Sequence, residues 1–97
     1  MIIARVIGLV VSTMKYNTLS GRKLLIVRQT DLAGDVTGPP LVAVDTVDAG
    51  AGDLVLVAQG SAARQTEQTR DRPVDNTIVA IVETLHANGE VTFRHTD

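Results

Sequence analysis

Acid–base or metal chemistry in this chain would have to draw on Asp45, Asp48, Asp53, Asp71, Asp75, Glu83, His86 and His95. The two histidines flank Asn88-Gly89, so a hairpin there would set them on paired strands where they could hold a metal. A pair of imidazoles without a third ligand is a weak site, and surface histidines near a chain end explain them without a metal. Ser61 lies in Gly60-Ser61-Ala62-Ala63-Arg64-Gln65, which lacks the Gly-x-Ser-x-Gly elbow of a nucleophile and has no histidine predictably near. Its hydroxyl suits a helix cap instead. Gly50-Ala51-Gly52 looks like a phosphate loop only superficially, because no helix follows whose N-terminus would receive the anion. Arg64, Arg70 and Arg72, interleaved with Glu67 and Asp71, read as a solvated face, or as a contact with another protein or the lining of a pore. No catalytic set, metal site or cofactor motif is therefore expected.

Composition narrows the classes further. At 97 residues the chain reads as a single domain, 1–97. A chain of this size buries about two-thirds of its unfolded surface and has little left for a deep cleft. It is 44% hydrophobic but only 2% aromatic, so its core must be assembled from Val, Ile, Leu and Ala, a composition that favours strands. A net charge of -2 leaves no basic footprint for nucleic acid or an anionic membrane. Tyr16 and Phe93, the only aromatics, fall at opposite ends of the chain and offer no stacking platform for bases. With no cysteine, disulfides and thiolate chemistry are excluded. The apolar run at 1–11 has no basic region before it, carries Arg5 within it, and is too short to span a bilayer, so it reads as a buried strand of a cytoplasmic protein.

The elements follow from alternation and turn chemistry. Residues 1–12 are apolar on both alternating sides, Ile2, Ala4, Val6 and Val10 on one and Ile3, Ile7, Leu9 and Val11 on the other, and one side is a candidate for cover by a neighbouring subunit. A second strand is expected at 23–29, a turn region at 31–40 with Gly34, Gly38, Pro39 and Pro40, a third strand at 41–47, and a fourth at 54–59. The turn between these last two is Asp48-Ala49-Gly50-Ala51-Gly52-Asp53. A short helix opens at Ser61 and is closed by Pro73. A fifth strand is expected at 77–84, and Asn88-Gly89 should join 84–86 to 91–93 as a C-terminal hairpin. Five strands with a helix between the fourth and fifth point to an all-β fold, a small five-stranded OB-like barrel. Asp45 interrupts an apolar strand, so its carboxylate must be paired, for example with an arginine across a subunit boundary, or must point outward.

The combined order of motifs resembles the EutN/CcmL family of bacterial microcompartment shell proteins. It runs through Ile3-Ala4-Arg5-Val6-Ile7-Gly8, Gly21-Arg22-Lys23-Leu24-Leu25, the stretch from Ala43 through Asp45 and the glycine turn to Val57, Gly60-Ser61-Ala62-Ala63-Arg64, Pro73-Val74-Asp75 and Val79-Ala80-Ile81-Val82. The resemblance covers nearly the whole chain, with 31–40 and 85–97 looking variable. It implies a homopentamer that caps fivefold vertices of a shell tiled by hexameric shell proteins, without a catalytic role. It also implies that Gly60, Ser61, Ala62, Ala63, Arg64, Asp45 and Asp75 lie near the subunit boundary or pore. The turn Asp48, Ala49, Gly50, Ala51, Gly52, Asp53 is expected at the rim that meets the shell. Two competing classes, an OB-type nucleic-acid module and a small-ligand binding module, lack the basic surface, strand aromatics and convergent polar set they would need.

Overall fold

The computed structural model describes residues 1–11, 23–60 and 75–95. Seven strands are seen among them: β1 (Ile2–Val10), β2 (Leu24–Thr30), β3 (Val36–Asp45), β4 (Leu54–Gln59), β5 (Asn76–Ile81), β6 (Thr84–Ala87) and β7 (Glu90–Arg94). The first five close a barrel in the order β1-β2-β3-β5-β4, and β6 and β7 form a separate two-stranded sheet. All barrel pairings are antiparallel except β3 with β5, which is parallel and consists of Val44 opposite Thr77 and Asp45 opposite Ile78. This is the expected OB-like arrangement with its C-terminal hairpin. The expected short helix falls at 61–74, outside the described residues.

A five-stranded barrel has a narrow interior, which small and β-branched side chains fill without voids. Ala4, Val6, Val27, Ala43, Val55, Val57 and Ile78 do so here, all essentially fully buried. The low aromatic content is thus matched to the lumen, since a large ring would overpack it.

Three expectations about the strands need correction. The alternation in the first strand does not run straight through, because the β1–β2 register shifts between Val6 and Gly8. Residues directly opposite on paired strands share a face. Val6 therefore goes with Val27, and beyond the shift it is Leu9, not Val10, that stands opposite Leu25, although Leu9 near the strand's end is exposed. A bulge adds one residue and so exchanges the two faces beyond it. The third strand begins at Val36 rather than at 41, and Pro39 and Pro40 lie inside it. Proline has no ladder donor to give and is tolerated on an edge. β3 is such an edge here, since β5 reaches only Val44 and Asp45. The fifth strand stops at Ile81 instead of continuing to 84: the Val82 amide turns to the Leu54 carbonyl at 2.8 Å, and a new strand starts at Thr84. The Asn88-Gly89 turn is as expected. Asn88 (φ 54°) and Gly89 (φ 81°) both take the left-handed conformation that a two-residue hairpin of matching twist requires.

Candidate functional site

The 48–53 turn is held from within. The carboxylate of Asp45 at the end of β3 accepts hydrogen bonds from the Val47 amide (3.1 Å) and the Ala49 amide (3.0 Å). Lys23 Nζ stands 3.3 Å from the same carboxylate and 3.0 Å from Asp48 Oδ1, and donates to the Ala49 carbonyl at 2.9 Å. The Asp45 side chain is only 1% exposed, and its charge is met within this chain by Lys23 and the turn amides. Of the two alternatives left open by the sequence, the carboxylate is the paired one, with a lysine of its own chain as the partner. The reason is positional, because a carboxylate at the last residue of a strand can cap the amides of the turn that follows it.

The turn's other end docks on β1. The Gly52 amide donates to the Val6 carbonyl (2.8 Å), the Val6 amide to the Asp53 carbonyl (2.9 Å), and the Gly50 amide to Asp53 Oδ2 (2.9 Å). Asp48, Gly50, Ala51 and Gly52 are exposed, Asp53 is half-buried and Ala49 is buried, so the turn presents five of its six residues, with Ala49 as its inward anchor.

Hydrogen bonding to Asp48, and less strongly to Asp45, holds the Lys23 ammonium above the ordinary lysine range against a smaller opposing effect of desolvation. A raised folded-state value means that the stabilisation is complete below the unfolded lysine value near ~10.4 and is lost as pH rises through the folded one. The midpoint of urea unfolding is therefore expected to fall with pH in the alkaline range. Lys23→Met should make that fall shallower; an unchanged slope would remove Lys23 from this role.

Arg5, to which sequence reasoning assigned no role, joins three separate parts of the molecule. Its Nη1 donates to the Gly52 carbonyl (2.8 Å), and Nη2 and Nε donate to the Gly34 carbonyl (2.8 and 3.3 Å). The guanidinium also lies over the Phe93 ring, 5.8 Å from its centroid. The only signal in the sequence was a cation within an otherwise apolar strand. Beside it is an open cleft of about 300 Å³ between Ala51, Gly52 and Asp53 on one side and Phe93, Arg94 and His95 on the other.

The remaining site residues divide. The Gly60 amide donates to the Asp75 carbonyl at 2.8 Å, so these two close the base of the segment between them. Ser61, Ala62, Ala63 and Arg64 lie outside the described residues, as do Arg70 and Arg72. His86 is opposite Val91, whereas His95 follows β7 and donates its amide to the Glu83 carbonyl, so the hairpin register sets the imidazoles at different levels instead of facing each other. Among the described residues no group of three metal-ligating side chains comes together.

Residues 1–83 match the family model described as ethanolamine utilisation protein EutN/carboxysome. The chain belongs to the EutN/CcmL family. It is 39% identical over 91 residues to the bacterial microcompartment shell vertex protein EutN of Salmonella typhimurium, covering 94% of this chain and 92% of that protein. To the carboxysome shell vertex protein CcmL of Nostoc sp. it is 42% identical over 96 residues, 98% of this chain and 95% of that one. The solved structure of Nostoc CcmL superposes with a TM-score of 0.91 over 98% of this chain and 100% of that chain. GrpN from Rhodospirillum rubrum, a pentameric microcompartment shell protein, shares 42% identity and a TM-score of 0.80 over 90% of this chain and 99% of that one. Known members of the EutN/CcmL family are thus structural shell components, and the barrel described above is theirs.

Proposed function

We infer that this chain is a structural vertex protein of a bacterial microcompartment shell, located in that shell in the cytoplasm, and propose that five copies close a ring that caps a fivefold vertex. The observation that carries the ring is one of surface chemistry. The barrel completes its core within one chain, yet Ile7 (46%), Leu9 (56%), Val11 (89%) and Val42 (49%) remain exposed. The β1–β2–β3 register sets Gly8, Ile26 and Val42 in one row, which brings these side chains to neighbouring strands, and an apolar patch of that kind is a contact surface for another protein. A head-to-tail contact whose rotation closes gives a ring from one repeated interface. Shell vertex relatives and the pentameric GrpN supply the number of subunits.

Hexameric shell proteins are the proposed partners, because a flat hexagonal sheet can close into a polyhedron only by admitting fivefold positions. Within the ring, Gly60, Ser61, Ala62, Ala63, Arg64 and Asp75 are proposed to lie at the subunit boundary, the small residues allowing close approach and Arg64 supplying charge. Asp48, Gly50, Ala51, Gly52 and Asp53 are proposed as the shell-facing rim, with Asp45 and Ala49 bracing it from below. We assign the chain no catalytic role, nucleic-acid partner or cofactor.

Native mass spectrometry tests this reading: the expected species has five times the mass of the 10.3 kDa chain and persists on dilution into the micromolar range. A monomer or dimer would overturn it. Co-expression with hexameric shell proteins is expected to give closed particles, and omission of this chain to leave shells open at their corners.

A further inference from the structure

We propose that the β6–β7 hairpin is a hinged arm, pivoting at Glu83 and latched to the barrel by Phe93 stacked on Arg5. Its anatomy is that of a part joined at two points. On the chain side, Val82 is buried and its amide is tied to Leu54 of the barrel, while one residue later the Glu83 carbonyl accepts from the His95 amide and so belongs to the arm's base. The change from barrel to arm is thus made across Glu83. Among the described residues no barrel strand pairs with β6 or β7, which form a two-stranded sheet with each other.

On the latch side, Phe93 meets the Arg5 guanidinium and the bare backbone of Gly34. Gly34 is buried and has φ +88°; a Cβ there would stand 2.7 Å from Arg5 Nη2 and 3.1 Å from Phe93 Cδ1. The absent side chain is what lets the ring reach the cation. Arg5 in turn is fixed by the carbonyls of Gly34 and Gly52, so the arm is latched through Arg5 to two turns of the barrel. A two-stranded hairpin is marginally stable alone in water, so its order here depends on the latch. A single cation–π contact is weak enough to break and remake without unfolding the barrel. The family model's match ends at residue 83, the pivot itself. The barrel can therefore keep a constant ring while the arm takes its angle from whatever adjoins it.

Hydrogen exchange on the assembled protein tests the device with two variants. Phe93→Leu keeps an apolar partner for Leu85 but removes the ring; Gly34→Ala leaves the arm's own sequence untouched and blocks the seat. In both, the amides of 84–94 are expected to exchange at least ~tenfold faster, while β1, β2, β4 and β5 keep their protection and the native mass is unchanged. Unaltered exchange in 84–94, loss of protection spread equally through the barrel, or dissociation of the ring would each overturn the latch. Because mass and exchange are read separately, a failure of the latch leaves the pentamer reading standing, and the reverse.

Discussion

Asp45→Ala is expected to destabilise the protein by roughly 3–5 kcal/mol, mostly through two turn amides that lose their acceptor. Three costs combine. The Ala49 amide, which is buried, and the Val47 amide lose their acceptor, and an unsatisfied buried donor costs about 1–3 kcal/mol. Lys23 loses one of its two carboxylates but is 44% exposed and recovers hydration, so its share is the smallest. For a domain of this size the expected loss is equivalent to a fall in melting temperature of about 15–25 °C. Asp45→Asn retains one acceptor oxygen and should cost about half as much. Lys23→Met leaves the buried Asp45 carboxylate its two turn amides but not its cation, and should destabilise the protein less than Asp45→Ala. Urea unfolding at fixed protein concentration measures all three. A cost for Asp45→Ala no larger than that for Lys23→Met would show that the carboxylate does not brace the turn.

Ile78→Ala should have an effect of similar size by a different route. Ile78 is fully buried, stands opposite Asp45 across the parallel β3–β5 seam, and its carbonyl accepts a 2.7 Å hydrogen bond from Thr46 Oγ1. Truncation removes three carbons from a closed lumen, so the cost should lie within the ~2–5 kcal/mol range for such changes. Ile78→Val removes a single methylene and should cost about 1 kcal/mol. Against a total of about 5–15 kcal/mol for an ordinary domain, the alanine variant would be near the limit of folding. The ratio of the two losses is the informative quantity: if valine costs as much as alanine, the site is governed by side-chain shape at the seam and not by the volume of the cavity.

What could be read in advance was what depends on neighbours in sequence. Strands at 24–30 and 54–59 announce themselves by β-branched runs between turn residues, and Asn88-Gly89 specifies its turn by needing two left-handed residues in succession. The order of these pieces with the glycine turn was enough to indicate the barrel and the family. The bulge near Ile7, the early start of β3 through Pro39 and Pro40, and the break at Val82 were not legible, because each is decided by the register of a strand distant in sequence. The roles of Arg5 and Asp45 are of the same kind. A cation in an apolar strand signals an obligation to find acceptors, but that they are Gly34 and Gly52 follows only once the barrel brings two turns to one end of β1.

The short parallel seam bears on the order in which the molecule forms. β1, β2 and β3 are joined in sequence order, so a growing chain can pair them by local hairpin closure. The last closure, Val44 to Thr77 and Asp45 to Ile78, spans more than thirty residues and brings two residue pairs in return for its loop entropy. It therefore becomes favourable only after β4 has seated on β1 and carried β5 with it. Until then β3 has an open edge through its entire length, and the two prolines at its centre deny an incoming strand the donors needed to lengthen it. An unpaired edge is a template for another strand, and Pro39 and Pro40 leave β3 a poor one for a second copy of this chain.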